Sequence, residues 1–394
     1  MQQAESTPSL SLPRWALGVF PLLLLLLIIG AFLALDPLAY FTGQFPPLEQ
    51  LTIQQVRFPQ PGAIRMQVVN GGPDPVTVSQ VLVDDAYWQF TITPDNTLER
   101  LEEATIDIPY PWVDGEPLPI TLVTATGITF GEEVEVAVES PGGGIAPFLA
   151  YGLLGIYVGV IPVALGMLWY PFMRRVDRKW MNAILALTIG LLIFLLVDTF
   201  LEALELAAEL PAVLQGVPLV TFGALLSFGL LMAVGRRRGG TPLSIATLIA
   251  LGIGLHNLGE GLAIGAAFAT GAAALGSFLV IGFTLHNVTE GIGIAAPLLR
   301  GEQPRLTIFV LLALLAGAPA MLGAWFGGFA FSPLWAALFL SLGVGAILQV
   351  VWEVSRLLWR EEQQGRAPAF TWLNFASLTA GILIMYVTAL LVKF

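Results

Sequence analysis

The 394-residue chain has no cysteine, only two histidines, and charge on just 11% of its residues. The first absence excludes disulfides, thiolate metal sites and a cysteine nucleophile, whatever the compartment. So little charge, against roughly a quarter in an ordinary soluble domain, excludes a typical cytosolic enzyme. Bases are scarcer than acids, 17 against 28, and the net charge of −11 leaves no basic footprint for nucleic acid. What is abundant is apolar: 56% of the residues are hydrophobic.

Residues 15–35 (WALGVFPLLLLLLIIGAFLAL) form an uncharged run long enough to cross a bilayer as a helix. A secretory h-region is shorter, about 7–15 residues, and ends at a small-residue cleavage site. The run therefore reads as a retained signal anchor over 15–36 behind a short tail, 1–14, with cleavage after it as the alternative. Residues 44–145 change character. Alternating stretches such as LTIQQVRF, AIRMQVVN and PVTVSQVLV are separated by Gly, Pro, Asn and Asp clusters, a strand-and-turn pattern. Six or seven short strands predict a small β-sandwich, a domain over 44–140, with Asn70 to Pro75 (NGGPDP) as a tight turn. The 44–145 segment holds 15 acids and 3 bases (Arg57, Arg65, Arg100), net −12, which leaves +1 for the remainder.

After the linker Pro141 to Pro147 (PGGGIAP), a region over 147–394 carries apolar spans at 147–172, 182–207, 217–234, 243–270, 274–299, 306–330, 333–358 and 370–392. Bases follow the first (Arg174, Arg175, Arg178, Lys179), third (Arg236, Arg237, Arg238), fifth (Arg300, Arg305) and seventh (Arg356, Arg360, Arg366), and are missing after the second, fourth and sixth. By the positive-inside rule the odd connections are cytoplasmic and both ends of the eight-helix core are outside. Arg14 puts the N-terminus inside, so the anchor delivers an acidic extracytoplasmic β domain. Trp169, Trp180, Trp359 and Trp372 flank the cytoplasmic linkers, where interfacial aromatics belong. The expected fold class is thus an α-helical polytopic membrane protein with an anchor helix and a small β domain, in a bacterial-type plasma membrane.

Carboxylates lie within or at the ends of these spans, and no Lys or Arg occupies a span interior. An ionised carboxylate there costs a few kcal/mol unless it is paired or lines a wet path. The missing positive charge must then be a proton or a bound cation. Both histidines sit in one repeated hexapeptide, HNLGEG at His256 to Gly261 and HNVTEG at His286 to Gly291. The copies are 30 residues apart, with the turn TGAAALG (Thr270 to Gly276) between them, so an antiparallel hairpin brings them together near mid-membrane. At about 100° per residue, Glu stands about 40° from His and Asn about 100° from it. Each Glu can share a metal with the His one turn away or reach a second ion beside Asn. His256, Glu260, His286 and Glu290 make an N/O set suited to zinc or ferrous iron. Asn257 and Asn287 with the same carboxylates make a harder, oxygen-rich neighbour. The flanking Gly261, Gly265 and Gly291 allow close helix approach. The bland alternative is a set of polar residues bonding neighbouring helices.

Two constellations are weaker. Asp198, Glu202 and Glu205 form one stripe of the second core helix, with Glu209 just beyond; this reads as a cation entry funnel or as a solvated helix end. Gln349 and Glu353 share a face of the seventh core helix, as an exit pair, or with Glu353 paired to Arg356 or Arg360.

The eight spans and the paired H-N-x-x-E-G resemble the ZIP divalent metal transporters, the zinc- and iron-regulated-transporter-like proteins, of the bacterial broad-specificity branch. The resemblance covers about residues 147–394. It implies a binuclear mid-membrane site on His256, Asn257, Glu260, His286, Asn287 and Glu290, metal movement toward the cytoplasm by an elevator-like displacement of a bundle containing these helices, and a homodimer. This chain departs from the family pattern: Gly259 and Thr289 stand where Pro often precedes the motif Glu, Ala318 precedes Pro319 where a carboxylate is common, and the usual His-rich loop is reduced to GRRRGG (Gly235 to Gly240).

The sequence therefore predicts a transporter of divalent metal, zinc foremost with iron, manganese and cadmium also acceptable to the ligand set, and not an enzyme. Its partners are the metal ions, the lipid bilayer and a second copy of the chain. The alternative is a membrane-embedded metalloenzyme with Glu260 or Glu290 as general base on metal-bound water, disfavoured because the two copies look equivalent.

Overall fold

A computed structural model describes residues 14–35, 48–142, 144–237, 241–300 and 303–392. The tail before Arg14, Gly143 of the linker and the end of the GRRRGG loop lie outside the described residues. Helix α1 (Arg14–Leu35) belongs to one compact unit and everything from Glu49 onward to a second. With no charge after Arg14 in its sequence, α1 stays helical through Pro21.

The second unit opens with a small all-antiparallel β domain. Strands β1 (Leu51–Gln60), β2 (Ala63–Asn70), β7 (Glu103–Ile108) and β5 (Thr91–Thr93) make one sheet, in the order β1-β2-β7-β5. In the other, β4 (Ala86–Trp88), β3 (Val76–Val83), β8 (Leu118–Thr124) and β9 (Thr129–Val134) run in that order, with β6 (Thr97–Leu98) also on β3. Among the described residues nine strands stand where six or seven were expected, because β4, β5 and β6 are too short to show a period of two. The alternating apolar positions, among them Phe58, Met66, Val68, Val81, Ile106, Ile120 and Leu122, meet between the sheets as one core. Asn70 holds the NGGPDP turn: its side-chain oxygen accepts from the Gly72 N–H at 2.9 Å, and its amide donates to the Asp74 carbonyl at 2.8 Å.

Among the described residues eight helices follow: α2 (Ile145–Met173), α3 (Arg178–Ala208), α4 (Gly216–Arg237), α5 (Pro242–Ala269), α6 (Ala273–Ala295), α7 (Leu306–Ala330), α8 (Pro333–Gln363) and α9 (Trp372–Val392). Among the described residues seven helices, α2 to α8, are long and apolar enough to cross a membrane, and α9 adds a shorter apolar one. The chain is a multi-pass membrane protein by this measure.

The helices fall into two groups. α2, α5, α6 and α7 pack mainly on one another, as do α3, α4, α8 and α9, and the groups meet chiefly along α5 and α8. Small residues explain the division. Inside the first group a Cβ on Gly159, Gly166, Gly261 or Gly291 would overlap the backbone of the facing helix; inside the second the same holds at Gly190 and Gly345. Backbones in direct contact give each group many close dispersion contacts without a hydrophobic driving force, which lipid does not supply. Across the junction the facing atoms are more often side-chain atoms, as at Gly252 against Val350 and Gly259 against Leu340.

The β domain sits on this helical body. Arg57 on β1, one of its three bases, donates through Nη2 to the Phe329 carbonyl in the last turn of α7 at 3.4 Å. A cation at the C-terminal end of a helix meets its unpaired carbonyls favourably. Gly71 packs on Pro211 beyond α3, and Val138 lies against Gly271 in the α5–α6 turn.

Candidate metal centre

The α5–α6 turn is tight because Gly271 takes a φ of +81°, which L side chains avoid. Glu260 and His286 each lie thirteen residues from Ala273, so the hairpin sets them level. One carboxylate oxygen of Glu260, Oε1, faces two imidazole nitrogens: Nε2 of His256 at 3.0 Å, from one turn earlier on α5, and Nε2 of His286, in closer contact from α6. One ligand atom from each of these three residues lies within 4.8 Å of the other two. The three side chains are 2%, 3% and 6% exposed. Electron-rich nitrogen and oxygen atoms at such separations repel unless a proton or a cation stands between them. Among the described residues no Lys or Arg pairs with this group, so this is where a proton or a cation is needed.

The two asparagines are fixed by backbone carbonyls. Asn287 donates through Nδ2 to the Val158 carbonyl at 3.0 Å, and Asn257 to the Ala316 carbonyl at 3.0 Å. A carbonyl only accepts, so each amide nitrogen must face the backbone and each Oδ1 is left without a partner, buried in the protein. A proline supplies the first of these carbonyls: Pro162 lacks the N–H that would close a helical bond to Val158, and α2 loosens into a π-turn over Ile156–Val160. In α7, Pro319 leaves the carbonyl of Leu315 without its helical N–H, one residue before Ala316. Nothing in the hexapeptide pointed to Val158 or Ala316. For Val158 the signal was Pro162.

The two copies are not equivalent. Asn287 also donates to Oε2 of Glu260 at 3.2 Å, so Glu260 is met by His256, His286 and Asn287 together. Glu290 is 2% exposed, and among the described residues neither of its oxygens meets a donor in good hydrogen-bond geometry. Its polar neighbours are the Asn257 amide and the Glu260 carboxylate. All six residues of the two motifs are buried, but only His256, Glu260 and His286 make one compact group; Asn257, Asn287 and Glu290 stand beside it with unpartnered oxygens. The expected equivalence is corrected accordingly: both imidazoles turn to Glu260, not to Glu290.

The stripe on α3 joins this site. Asp198, Glu202 and Glu205 line a cavity of about 310 Å³ between α3, α6 and α9, and His286 and Phe283 line it too. Just past α3, Glu209 stands near Glu205 and near Glu132 of the β domain. The pair on α8 divides. Gln349 is fully buried with neither amide atom partnered, facing Gly252 one turn before His256. Glu353 is paired with Arg356, Nη1 to Oε1 at 3.2 Å, and lines a separate cavity of about 350 Å³ with Arg236, Arg356 and Arg360. So the ion-pair alternative holds for Glu353, because arginines one turn away are in reach and a cation would be repelled there.

No family model matches the chain, and no curated protein matches it. Among solved structures, the archaellum periplasmic stator protein FlaG from Sulfolobus acidocaldarius is matched at 18% identity with a TM-score of 0.20, over 22% of this chain and 99% of that one. That likeness carries no argument about this protein.

Proposed function

We propose that this chain is a ZIP-like transporter that carries divalent transition metal, zinc or iron foremost, across the plasma membrane toward the cytoplasm. The observation that carries the reading is the convergence of His256, Glu260 and His286 on one point inside an apolar helical bundle. Borderline ligands suit borderline ions, and the unpartnered oxygens of Asn257, Asn287 and Glu290 offer a second, harder position alongside. The cavity from Asp198 to His286 supports entry from the side of the β domain. Alternate basic linkers support an extracytoplasmic β domain and a cytoplasmic N-terminus. Two helix groups with glycine-tight interiors and a looser junction support movement of the group bearing α5 and α6 as a body. A homodimer goes with the family resemblance.

In this mechanism an incoming dication sheds water in exchange for imidazole and carboxylate, and any protons on those groups leave as it binds. Uptake therefore weakens as pH falls. The inequality of the two carboxylates favours one second reading, a membrane metalloenzyme in which Glu290 acts as base on metal-bound water. Proteoliposomes separate the two: with a metal-sensitive dye inside, external zinc, ferrous or manganous ion enters through the wild type and not through Glu260→Ala. Absence of entry for every ion at every pH would sink the transporter reading.

A further inference from the structure

At the end of α2 farthest from the β domain, a cavity of about 480 Å³ opens between α2, α3, α6 and α8. Its polar wall is Arg174, Arg178, Asn182, Glu361 and Arg366, and Met173, Leu185 and Leu299 are on its apolar side. Glu361 is buried, 2.8 Å from Arg178 and 3.6 Å from Arg366. One carboxylate against three guanidinium groups leaves the cavity with two positive charges in excess. Among the described residues no carboxylate lies within ion-pair distance of Arg174, which stands over the Tyr170 ring, 5.9 Å from its centroid.

A second observation points to the ligand. Asn182 is 3% exposed, and its amide nitrogen has no hydrogen-bond partner. A buried donor without an acceptor is costly. α3 starts at Arg178, and its N-cap Asp177 makes no side-chain bond to the first-turn N–H groups, so the positive end of the helix adds to the same field. Apart from Glu361, already paired with two arginines, and the amide oxygen of Asn182, the polar side-chain groups here are donors. A metal cation would be repelled, so the cavity is no part of the metal path.

We propose that this cavity binds a phosphate-bearing anion. Several acceptor oxygens on one doubly ionisable group match two or three guanidinium forks and an amide better than a single carboxylate does. The apolar wall favours a lipid phosphate as the source, its glycerol and first acyl carbons lying against Met173 and Leu185; basic pockets between membrane helices hold headgroups in this way. Because Arg174 belongs to one helix group and Arg178 and Asn182 to the other, the phosphate would tie the two together.

The test uses the full-length protein in detergent and native mass spectrometry. Phosphatidylglycerol, inorganic phosphate and, as a control for apolar contact alone, diacylglycerol are each added in turn. The expected result is one phosphatidylglycerol retained per chain. Retention should weaken about fivefold in Arg174→Gln, with partial rescue in Arg174→Lys, and again in Asn182→Leu, which keeps every charge. Binding of inorganic phosphate as well as the lipid would identify the phosphate itself as sufficient and also supports the proposal. Retention of neither phosphate compound overturns it, as does diacylglycerol held as well as phosphatidylglycerol, or an Arg174→Gln variant that binds like the wild type. None of these outcomes depends on metal transport.

Discussion

HNLGEG on α5 and HNVTEG on α6 share four of six residues, yet their glutamates live differently. Glu260 is met by two imidazoles and an amide; Glu290, as deeply buried, has among the described residues only the Asn257 amide near it, outside good hydrogen-bond geometry. Register alone does not make the difference: about Ala273 each Glu falls opposite the His of the other copy, Glu260 with His286 and Glu290 with His256. The difference lies in side-chain placement, since both imidazoles and the Asn287 amide turn to Glu260. The repeat thus holds one hub carboxylate and one satellite. The hub suits first capture of a metal, and the satellite suits a second ion or a handover.

The largest break in this comparison should come from the hub. Glu260→Ala removes the atom common to both histidines, and zinc affinity by isothermal calorimetry should fall by on the order of 100-fold or more, with uptake lost. Glu290→Ala should cost nearer tenfold and leave one zinc bound per chain. Equal losses in the two variants would restore the symmetric site. A smaller contrast separates the asparagines. Asn287→Leu loses both the bond to Val158 and the bond to Glu260, so its affinity should fall several-fold further than that of Asn257→Leu, which touches no hub atom.

Access distinguishes the copies as well, since His286 lines the cavity with Asp198 and Glu202. Asp198→Asn with Glu202→Gln should slow zinc entry a few-fold at low salt, a difference that shrinks near physiological ionic strength, where the Debye length is about 8 Å. The smallest effect is expected at the mouth. Desolvation holds Glu209 above the usual carboxylate range, with Glu132 and Glu205 adding repulsion, and desolvation raises Glu132 too. The folded state thus binds these protons more tightly than the unfolded one. This pair's contribution to stability rises as pH falls from neutral toward the ordinary carboxylate range, and declines as pH climbs back. Both groups remain solvated enough that the change should stay under about 1 kcal/mol. Melting curves of Glu209→Gln, compared with wild type across that window, should show a flatter pH dependence.

The helical body was legible because spans of twenty or more apolar residues leave little choice: α7 runs over Leu306–Ala330, the very span read from hydropathy, and the other boundaries shift by a few residues. The fragments β4 to β6 were not legible, since two or three residues carry no period. All six motif residues could be named from their spacing and rarity. What spacing could not supply was the ranking of the two glutamates, which depends on side-chain placement, or the carbonyls of Val158 and Ala316, which belong to other helices. The link between the α3 stripe and His286 required α9 to close the cavity. Glu353 had two readings one helical turn apart, and only side-chain placement chose the arginine.

The decisive measurement is zinc K-edge X-ray absorption on the full-length protein loaded with one equivalent of zinc. A nitrogen and oxygen shell at about 2.0–2.1 Å with outer-shell scattering from two imidazoles is expected, retained in Glu290→Ala and lost in Glu260→Ala. A shell with no imidazole, or one that survives Glu260→Ala and vanishes in Glu290→Ala, would contradict it.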